Sequence, residues 1–422
     1  MRGHLARAER LHYPRQRNRW FLEAVDMYGD AVNGLAQGLA NADLTSRGFL
    51  AFREYVTAYV RSDRFASLQA ETKKRIADLA AVRYCLHIQG NRIRVRGYES
   101  EPDYRQEVEN TFEKFKQGEV KDYRVTFSDG PDMNHVEAQI LDFVACLHPQ
   151  PFSALDRYCA ANADYLDETI GRFDREVQFY LAWLEHLASL RRAGLPFCYP
   201  QPDDACKDVQ VRDAFDLALA HRLARENVPV VRNDFHLAGK ERVLVVTGPN
   251  QGGKTTFART FGQLHHLACI GCPVPGREAR LFLFDRMFTH FEKEEDIRNL
   301  RGKLEDDLAR IHRILEQSTS GSIVIINEIF TSTTLQDAVF LSRKVLEAVL
   351  ELDLLCVCVT FIDELSTLSE KTVSMVSTVD PDNPTRRTFR IERRPADGLS
   401  YAISIAERHG LTYAGLKERI RS

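Results

Sequence analysis

Two short stretches carry the residue types from which phosphate chemistry is built. The first, TGPNQGGKTT at 247–256, fits the spacing G-x-x-x-x-G-K-[ST] from Gly248 to Thr255 without a gap. Glycines let successive backbone N–H groups close around an anion, and a helix that begins at the same point adds the positive end of its dipole. Gly248, Pro249, Asn250, Gln251, Gly252, Gly253, Lys254, Thr255 and Thr256 are therefore the candidate nucleotide-binding set. In such a loop the lysine reaches the β- and γ-phosphates and the hydroxyl after it faces Mg²⁺. The competing reading is a chance glycine-rich turn. The strand-like RVLVV before the loop and the helix-like TTFARTFGQLHHLA after it argue against that.

The second stretch, SIVIINE at 322–328, reads as a buried strand ending in two polar residues. An acidic group at the end of such a strand helps hold Mg²⁺, and a Glu beside it orients or activates water. Here Asn327 offers an oxygen without the charge, so the metal is expected to be held weakly and through water, with Thr255 as the other metal-side residue. Glu328 and Lys254 are the candidate catalytic residues. The plainer alternative is a core strand that happens to end in Asn-Glu.

These residues need a sheet to hold them. RVLVVTG, SIVIINE and LLCVCVTF are short, β-branched and separated by helical stretches, which predicts a mainly parallel sheet in an α/β domain. Before it the chain reads as helical. Phe21, Val25, Tyr28, Val32, Leu35 and Leu39 step by four and three, and Phe49, Phe52, Val56 and Tyr59 continue after a polar break. Gly29, Gly34 and Gly38 weaken the first helix or admit a close neighbour. YCLHIQGNRIRVRG at 84–97 alternates about Gly90-Asn91, as a hairpin would. Val108, Phe112 and Phe115 mark a helix, and KDYRVTFSDG at 121–130 a further strand. Asn134 and Glu137 make a capping pair, and Leu166, Ile170, Phe173, Val177, Tyr180 and Leu184 form a long amphipathic stripe. The Pro-rich AGLPFCYPQPDD at 193–204 reads as a domain break.

Composition sets few limits. The 422 residues allow two or three domains, 44% hydrophobic and 28% charged content is that of a soluble globular protein, and a net charge of −3 gives no global basic field. No apolar run approaches a membrane span, and the Arg-rich start lacks the apolar core of a secretory signal. Nine Cys without a framework spacing suit a reducing cytoplasm.

The ordered set of motifs resembles the MutS family of DNA mismatch repair ATPases, whose loop is close to TGPNxxGKST. VVRND at 230–234, LACIGCPVP at 267–275, DRMFTHF at 285–291, NEIFTSTTLQDA at 327–338 and VTFIDEL at 359–365 follow the family's order. The resemblance is dense over about 200–415. It implies a P-loop ATPase domain whose nucleotide lies between two such domains in a dimer, preceded by a helical lever with a small clamp insertion. It also implies ATP and Mg²⁺ as ligands, and double-stranded or branched DNA as partner. Asp337 and the loop from Ser332 to Thr334 would lie near the dimer contact. The departures are specific. Asn327 stands where the family has Asp, and Phe361 where its switch has His. IRNLRGKLEDDL at 297–308 stands where the family has a Ser-rich segment, with Gly302 and Lys303 as its loose counterparts, and no Phe-x-Glu wedge precedes the lever. The expectation is a short form without mismatch-reading and connector domains, and slow hydrolysis.

Other signals carry less. Cys269-x-x-Cys272 with His265 and His266 could bind metal, but Gly271, Pro273 and Pro275 suit a helix end, and Cys356 and Cys358 suit a strand core. The basic clusters Arg2, Arg7, Arg10, Arg15, Arg17, Arg19 and Arg386, Arg387, Arg390, Arg393, Arg394 could meet phosphates or simply be solvated. Arg92, Arg94 and Arg96 alternate with Ile93 and Val95, giving the hairpin one basic and one apolar face.

The expected organisation is a helical lever at 1–84 and 131–200, a small α+β clamp-like insertion at 85–130, and a P-loop ATPase domain of mainly parallel, MutS/ABC-like sheet at 201–422. The expected function is ATP binding with slow hydrolysis at a dimer interface, coupled to DNA in mismatch repair or related processing. The dimer is a homodimer or a pairing with a longer relative, in the cytoplasm and away from membranes. The alternatives are a nucleotide-gated DNA-binding or protein-docking scaffold with little turnover, and an unrelated SMC- or ABC-like ATPase.

Overall fold

A computed structural model of the chain describes residues 10–101, 111, 133–291, 302–380, 382–383, 386–396, 413 and 417. The expected strand at 121–130, the helix marked by Val108, Phe112 and Phe115, Arg2, Arg7 and residues 297–301 lie outside the described residues. The chain divides into two compact units, Met1–Glu176 and Val177–Ser422.

The first unit is helical. Helix α1 (Pro14–Asn41) opens on a proline, whose missing N–H has no partner to lose at that position. Ser46 and Ser62 cap α2 (Arg47–Val60) and α3 (Asp63–Ala80) by accepting from Phe49 N and Phe65 N. Leu22, Val25, Tyr28 and Val32 of α1 form the core with Phe65 and Leu68 of α3. Of the three α1 glycines only Gly29 meets a close neighbour. A Cβ there would lie 2.9 Å from Gln69 Nε2, whereas Gly34 and Gly38 face open space.

Strands β1 (Tyr84–Gln89) and β2 (Arg92–Gly97) pair antiparallel about Gly90-Asn91. The register sets Arg92, Arg94 and Arg96 opposite Gln89, His87 and Cys85 on one face, and Ile93 and Val95 opposite Ile88 and Leu86 on the other. Helix α4 (His135–Leu147) carries the expected reciprocal cap between Asn134 and Glu137, and α5 (Pro149–Ala161) and the start of α6 (Glu168–Arg192) complete the unit. The amphipathic stripe of α6 is only partly covered. Ile170 is buried, but Tyr180 and Leu184 are about two-fifths exposed.

The second unit is α/β. The Pro-rich stretch supplies β3 (Phe197–Cys198) and β4 (Gln201–Asp203). Then come β5 (Val209–Ala214), α7 (Leu217–Arg225), β6 (Asn233–Leu237), β7 (Val243–Thr247) and α8 (Lys254–Cys269). They are followed by β8 (Val274–Pro275), β9 (Glu278–Phe282), β10 (Met287–His290), α9 (Lys303–Gln317), β11 (Ile323–Asn327) and α10 (Leu335–Glu351). Strand β12 (Leu355–Val359), a 3₁₀ turn (Asp363–Thr367), β13 (Thr372–Val379) and β14 (Arg387–Arg393) end the described order.

The main sheet has the order β10-β11-β12-β7-β13-β14. Every neighbouring pair is parallel except β13–β14. A second sheet, β4-β9-β5-β6, is mixed, with β5 antiparallel to both neighbours. The parallel expectation therefore holds for the centre of the main sheet and not for its β14 edge or the second sheet. Strands β7, β11 and β12 are buried at every position, because helices cover both faces. Leu244, Val246, Ile325 and Val357 face Phe257, Phe261 and Leu264 of α8, while Val243, Val245, Ile326 and Cys358 face Ile311, Leu346 and Val349 on the other side. Fixing the central strands between two helical layers fixes their C-terminal ends, where loops in this architecture carry chemistry.

Candidate nucleotide site

The glycine-rich loop leaves β7 at Thr247 and enters α8 at Lys254. Gly248 and Gly253 have φ of 108° and 94°, backbone that glycine adopts without strain. Gly253 is the N-cap of α8, so the loop's amides and the helix N-terminus share one concavity. Gln251 also takes a positive φ of 59°.

Lys254 is 5% exposed. Its Nζ donates to the Gly248 and Pro249 carbonyls at 2.8 and 3.2 Å and to Asn250 Oδ1 at 3.3 Å, tying the ammonium to the loop it follows. Burial holds its pKa below the ordinary lysine value. The Glu328 and Asp363 carboxylates oppose that shift and the Arg387 guanidinium adds to it.

Strand β11 is parallel to β12, and β12 to β7, so Asn327 ends its strand on the same edge as the loop. Thr255 Oγ1 donates to Asn327 Oδ1 at 2.8 Å. Glu328 follows at φ 53°, its N–H donating to Val359 O at 2.9 Å, and Phe330 repeats the left-handed conformation at φ 58°. Strained backbone of this kind costs roughly 1–3 kcal/mol per residue and clusters where a side chain must be aimed. Thr360 N bonds Val246 O at 3.1 Å, which joins the end of β12 to the root of the loop.

Asn250–Thr256 and Glu328 line a cleft of about 620 Å³. Gly248 and Pro249 do not line it but contribute carbonyls to Lys254. The far wall is apolar, with Phe215, Leu219, Leu223, Val228, Val230 and Phe389. Asp216 there is committed to structure: Oδ1 accepts from Leu219 N, and Oδ2 from Arg259 and Gln263. Asn233, in the VVRND stretch, is also committed. Its amide donates to Phe389 O at 3.2 Å and its oxygen accepts from Ile391 N at 2.7 Å.

Other residues singled out in the sequence lie elsewhere. Thr334 caps α10 and donates to Asp337 Oδ2 at 2.8 Å, and neither lines the cleft. Phe361 is half-exposed just after β12. Arg393 pairs with Glu241, and Arg386 lies 3.7 Å from Asp380. Gly271 ends α8 at φ 73°, with Cys272 N bonded to Leu267 O at 2.9 Å, so the Cys-x-x-Cys spacing spans a helix C-cap. Among the described residues no group of three or more His, Cys, Asp and Glu could hold a metal ion. Mg²⁺ is usually held by one or two carboxylates plus phosphate oxygens, whereas the Thr255 hydroxyl and Asn327 carboxamide bring oxygens without charge to this edge.

Sequence reasoning missed Ser377 and Phe389. Ser377 Oγ donates to Gly252 O at 2.7 Å, and Phe389 lies against Gly253. Both are more than a hundred residues from the loop, and nothing in local spacing marks them.

The family MutS domain V matches residues 244–415. The chain is 27% identical over 251 residues to the DNA mismatch repair protein MutS of Fervidobacterium nodosum, covering 58% of this chain and 29% of that protein. It is 31% identical over 192 residues to endonuclease MutS2 of Thermus thermophilus, 44% of this chain and 25% of that protein. To the MutS of Rickettsia rickettsii it is 32% identical over 148 residues, 35% of this chain and 17% of that protein. The chain thus spans less than a third of the length of these relatives. Residues 244–415 are thus similar to MutS domain V, which is a P-loop NTPase-type domain.

Proposed function

We propose that the cleft binds ATP with Mg²⁺ and hydrolyses it slowly, and that this binding is coupled to DNA. The observation that carries the reading is the joined pair of motifs: a glycine-rich loop gripping a buried lysine, with Thr255 bonded to Asn327 at the end of a neighbouring buried strand. Backbone N–H groups of 248 and 250–253 and the Lys254 ammonium supply positive potential for the phosphates. The apolar wall and the Phe389 ring suit a stacked base. Glu328 is the group to position an attacking water. Mg²⁺ would neutralise phosphate charge, next to Thr255 and, through water, Asn327.

The helical residues of the first unit are read as a lever and the β1–β2 hairpin as a reduced clamp. Arginines two residues apart on one hairpin face suit a nucleic-acid backbone, which would make DNA binding salt-sensitive. Closure of two copies on ATP would be the switch, with Asp337 and the Ser332–Thr334 loop at the contact. Mismatch repair or related DNA processing, in the cytoplasm, is the corresponding role. A second reading, a nucleotide-gated scaffold with little turnover, is favoured by the uncharged Thr255–Asn327 pair and the apolar Phe361.

The test is ATP binding and turnover with and without linear duplex and four-way-junction DNA. Saturable ATP binding, with turnover changed by DNA, supports the first reading. Binding with no turnover above that of Glu328→Ala selects the scaffold. No ATP binding overturns both.

A further inference from the structure

We infer that Ser377 is the positioning residue that holds the phosphate loop in shape, and that the bulged β13–β14 ribbon is the element that delivers it. The inference deepens the nucleotide reading above and rests on it for its effect on binding. Ser377 sits on β13, next to β7, and is fully buried. Its Oγ donates to Gly252 O at 2.7 Å. A Cβ on Gly248 would come 2.7 Å from Ser377 O and 3.1 Å from Ser377 N. A Cβ on Gly252 would collide with Ser377 Oγ and lie 3.2 Å from its Cβ. Both loop glycines thus pack against residue 377, Gly248 against its backbone and Gly252 against its side chain, and a Cβ on Gly252 would also lie 3.0 Å from Pro249 O. Gly252 does not take a positive φ, so close approach rather than backbone conformation excludes a side chain there.

The partner strand makes a further contact. Between the pairs Ser377↔Ile391 and Val379↔Arg387, β13 has one residue and β14 has three, so β14 bulges. Phe389 lies in that bulge at φ 58°, with its ring edge 3.8 Å from a Cβ built on Gly253. Bulges re-aim side chains beside functional sites. This one is stitched by Thr378 and Thr388, whose hydroxyls are 2.6 Å apart, and by both ends of the Asn233 amide. Gly248, Gly252 and Gly253 are therefore held from outside the loop by a ribbon that starts more than a hundred residues later. The physical consequence is preorganisation: an anion meets amides already converged and does not have to order them.

The test uses the full chain and Ser377→Ala, Gly252→Ala and the double variant. Hydrogen exchange of the amides of 248 and 250–253 is followed without nucleotide, and ATP affinity with a fluorescent analogue. Ser377→Ala is expected to speed exchange in the loop while leaving β7 and β11 protected and the melting temperature nearly unchanged. ATP affinity is expected to fall about fivefold, the size of one hydrogen bond. Gly252→Ala alone is expected to bind at least about tenfold more weakly. The double variant is expected to bind more tightly than Gly252→Ala, because the tightest contact has gone. Unchanged loop exchange in Ser377→Ala, or purely additive losses in the double variant, overturns the inference. A wild type that binds no ATP overturns the nucleotide reading, and loop exchange still decides whether Ser377 holds the loop.

Discussion

The Thr255 hydroxyl donates to the Asn327 carboxamide oxygen over 2.8 Å, a neutral hydrogen bond where the glycine-rich loop meets the end of β11. An aspartate in place of Asn327 would make that bond charge-assisted and add a negative charge beside the proposed metal position. Asn327→Asp is therefore expected to lower the Mg²⁺ concentration needed for half-maximal ATP binding by about tenfold, the effect of roughly 1.4 kcal/mol of added attraction. ATP binding without Mg²⁺ should weaken, since two like charges then face each other. A Mg²⁺ titration of both proteins checks this, and identical midpoints would remove Asn327 from the metal side of the site.

Lys254 has two roles that separate on titration. As the only ammonium in the loop, its replacement in Lys254→Met is expected to weaken ATP binding by about 10- to 100-fold, the range for a lost charged hydrogen bond. Its folded-state pKa is held below the ordinary lysine value by burial. The unfolded chain then binds the proton more readily than the folded one between the lowered value and the ordinary one. Stability from this group therefore rises with pH across that window. Wild type minus Lys254→Met, compared by urea unfolding from pH 8 to 10.5, should show that positive slope. A flat difference would mean the lysine is as well solvated folded as unfolded.

Glu328 is held at φ 53°, a conformation that glycine tolerates better. If the strain is kept for the sake of the carboxylate, activity and stability must part company. Glu328→Gln is expected to bind ATP within about threefold of wild type and to lose about 10²- to 10⁴-fold in turnover. Glu328→Gly should lose turnover equally and melt no lower than wild type, because the strain is relieved. Loss of stability in the glycine variant would make Glu328 a structural residue.

How far the sequence could be read depends on where each signal is stored. The loop, its flanking strand and helix, the Asn134–Glu137 cap and the Gly90-Asn91 hairpin are local, encoded within a few residues by propensity and capping chemistry. Alternation on β7, β11 and β12 is hidden because both faces are buried, yet continuous apolar runs still marked them as central strands. The grip of Ser377 on Gly252 and the use of Asn233 to pin Phe389 and Ile391 are not local. They arise from strand order, which no spacing in the chain announces. The amphipathic stripe of α6 shows the opposite failure, because a helical period predicts a face but not what covers it, and Tyr180 and Leu184 remain exposed.

His265 is expected to give the domain an acid sensitivity that the proposed nucleotide site does not require. It lies on α8, wholly buried against Phe261 with ring centroids 4.2 Å apart, and its Nδ1 is 2.9 Å from Phe261 O. Burial depresses its pKa from 6.5 to about 4, partly offset by that backbone contact. The sign follows directly. Above pH 6.5 the ring is neutral in both states and adds no pH dependence. Between 6.5 and 4 the unfolded chain takes up a proton that the folded chain refuses, so stability falls as pH falls. At pH 5 the loss is roughly 2 kcal/mol, from about 1.4 kcal/mol per pH unit below the unfolded value. His265→Leu, a neutral residue of similar bulk, is expected to keep the fold at pH 7.5 and to lose less stability than wild type on going to pH 5. Urea midpoints at the two pH values check it. An equal drop in both proteins would assign the acid sensitivity to the carboxylates, among them Asp353, held below its usual range despite burial by Lys207 and Arg242.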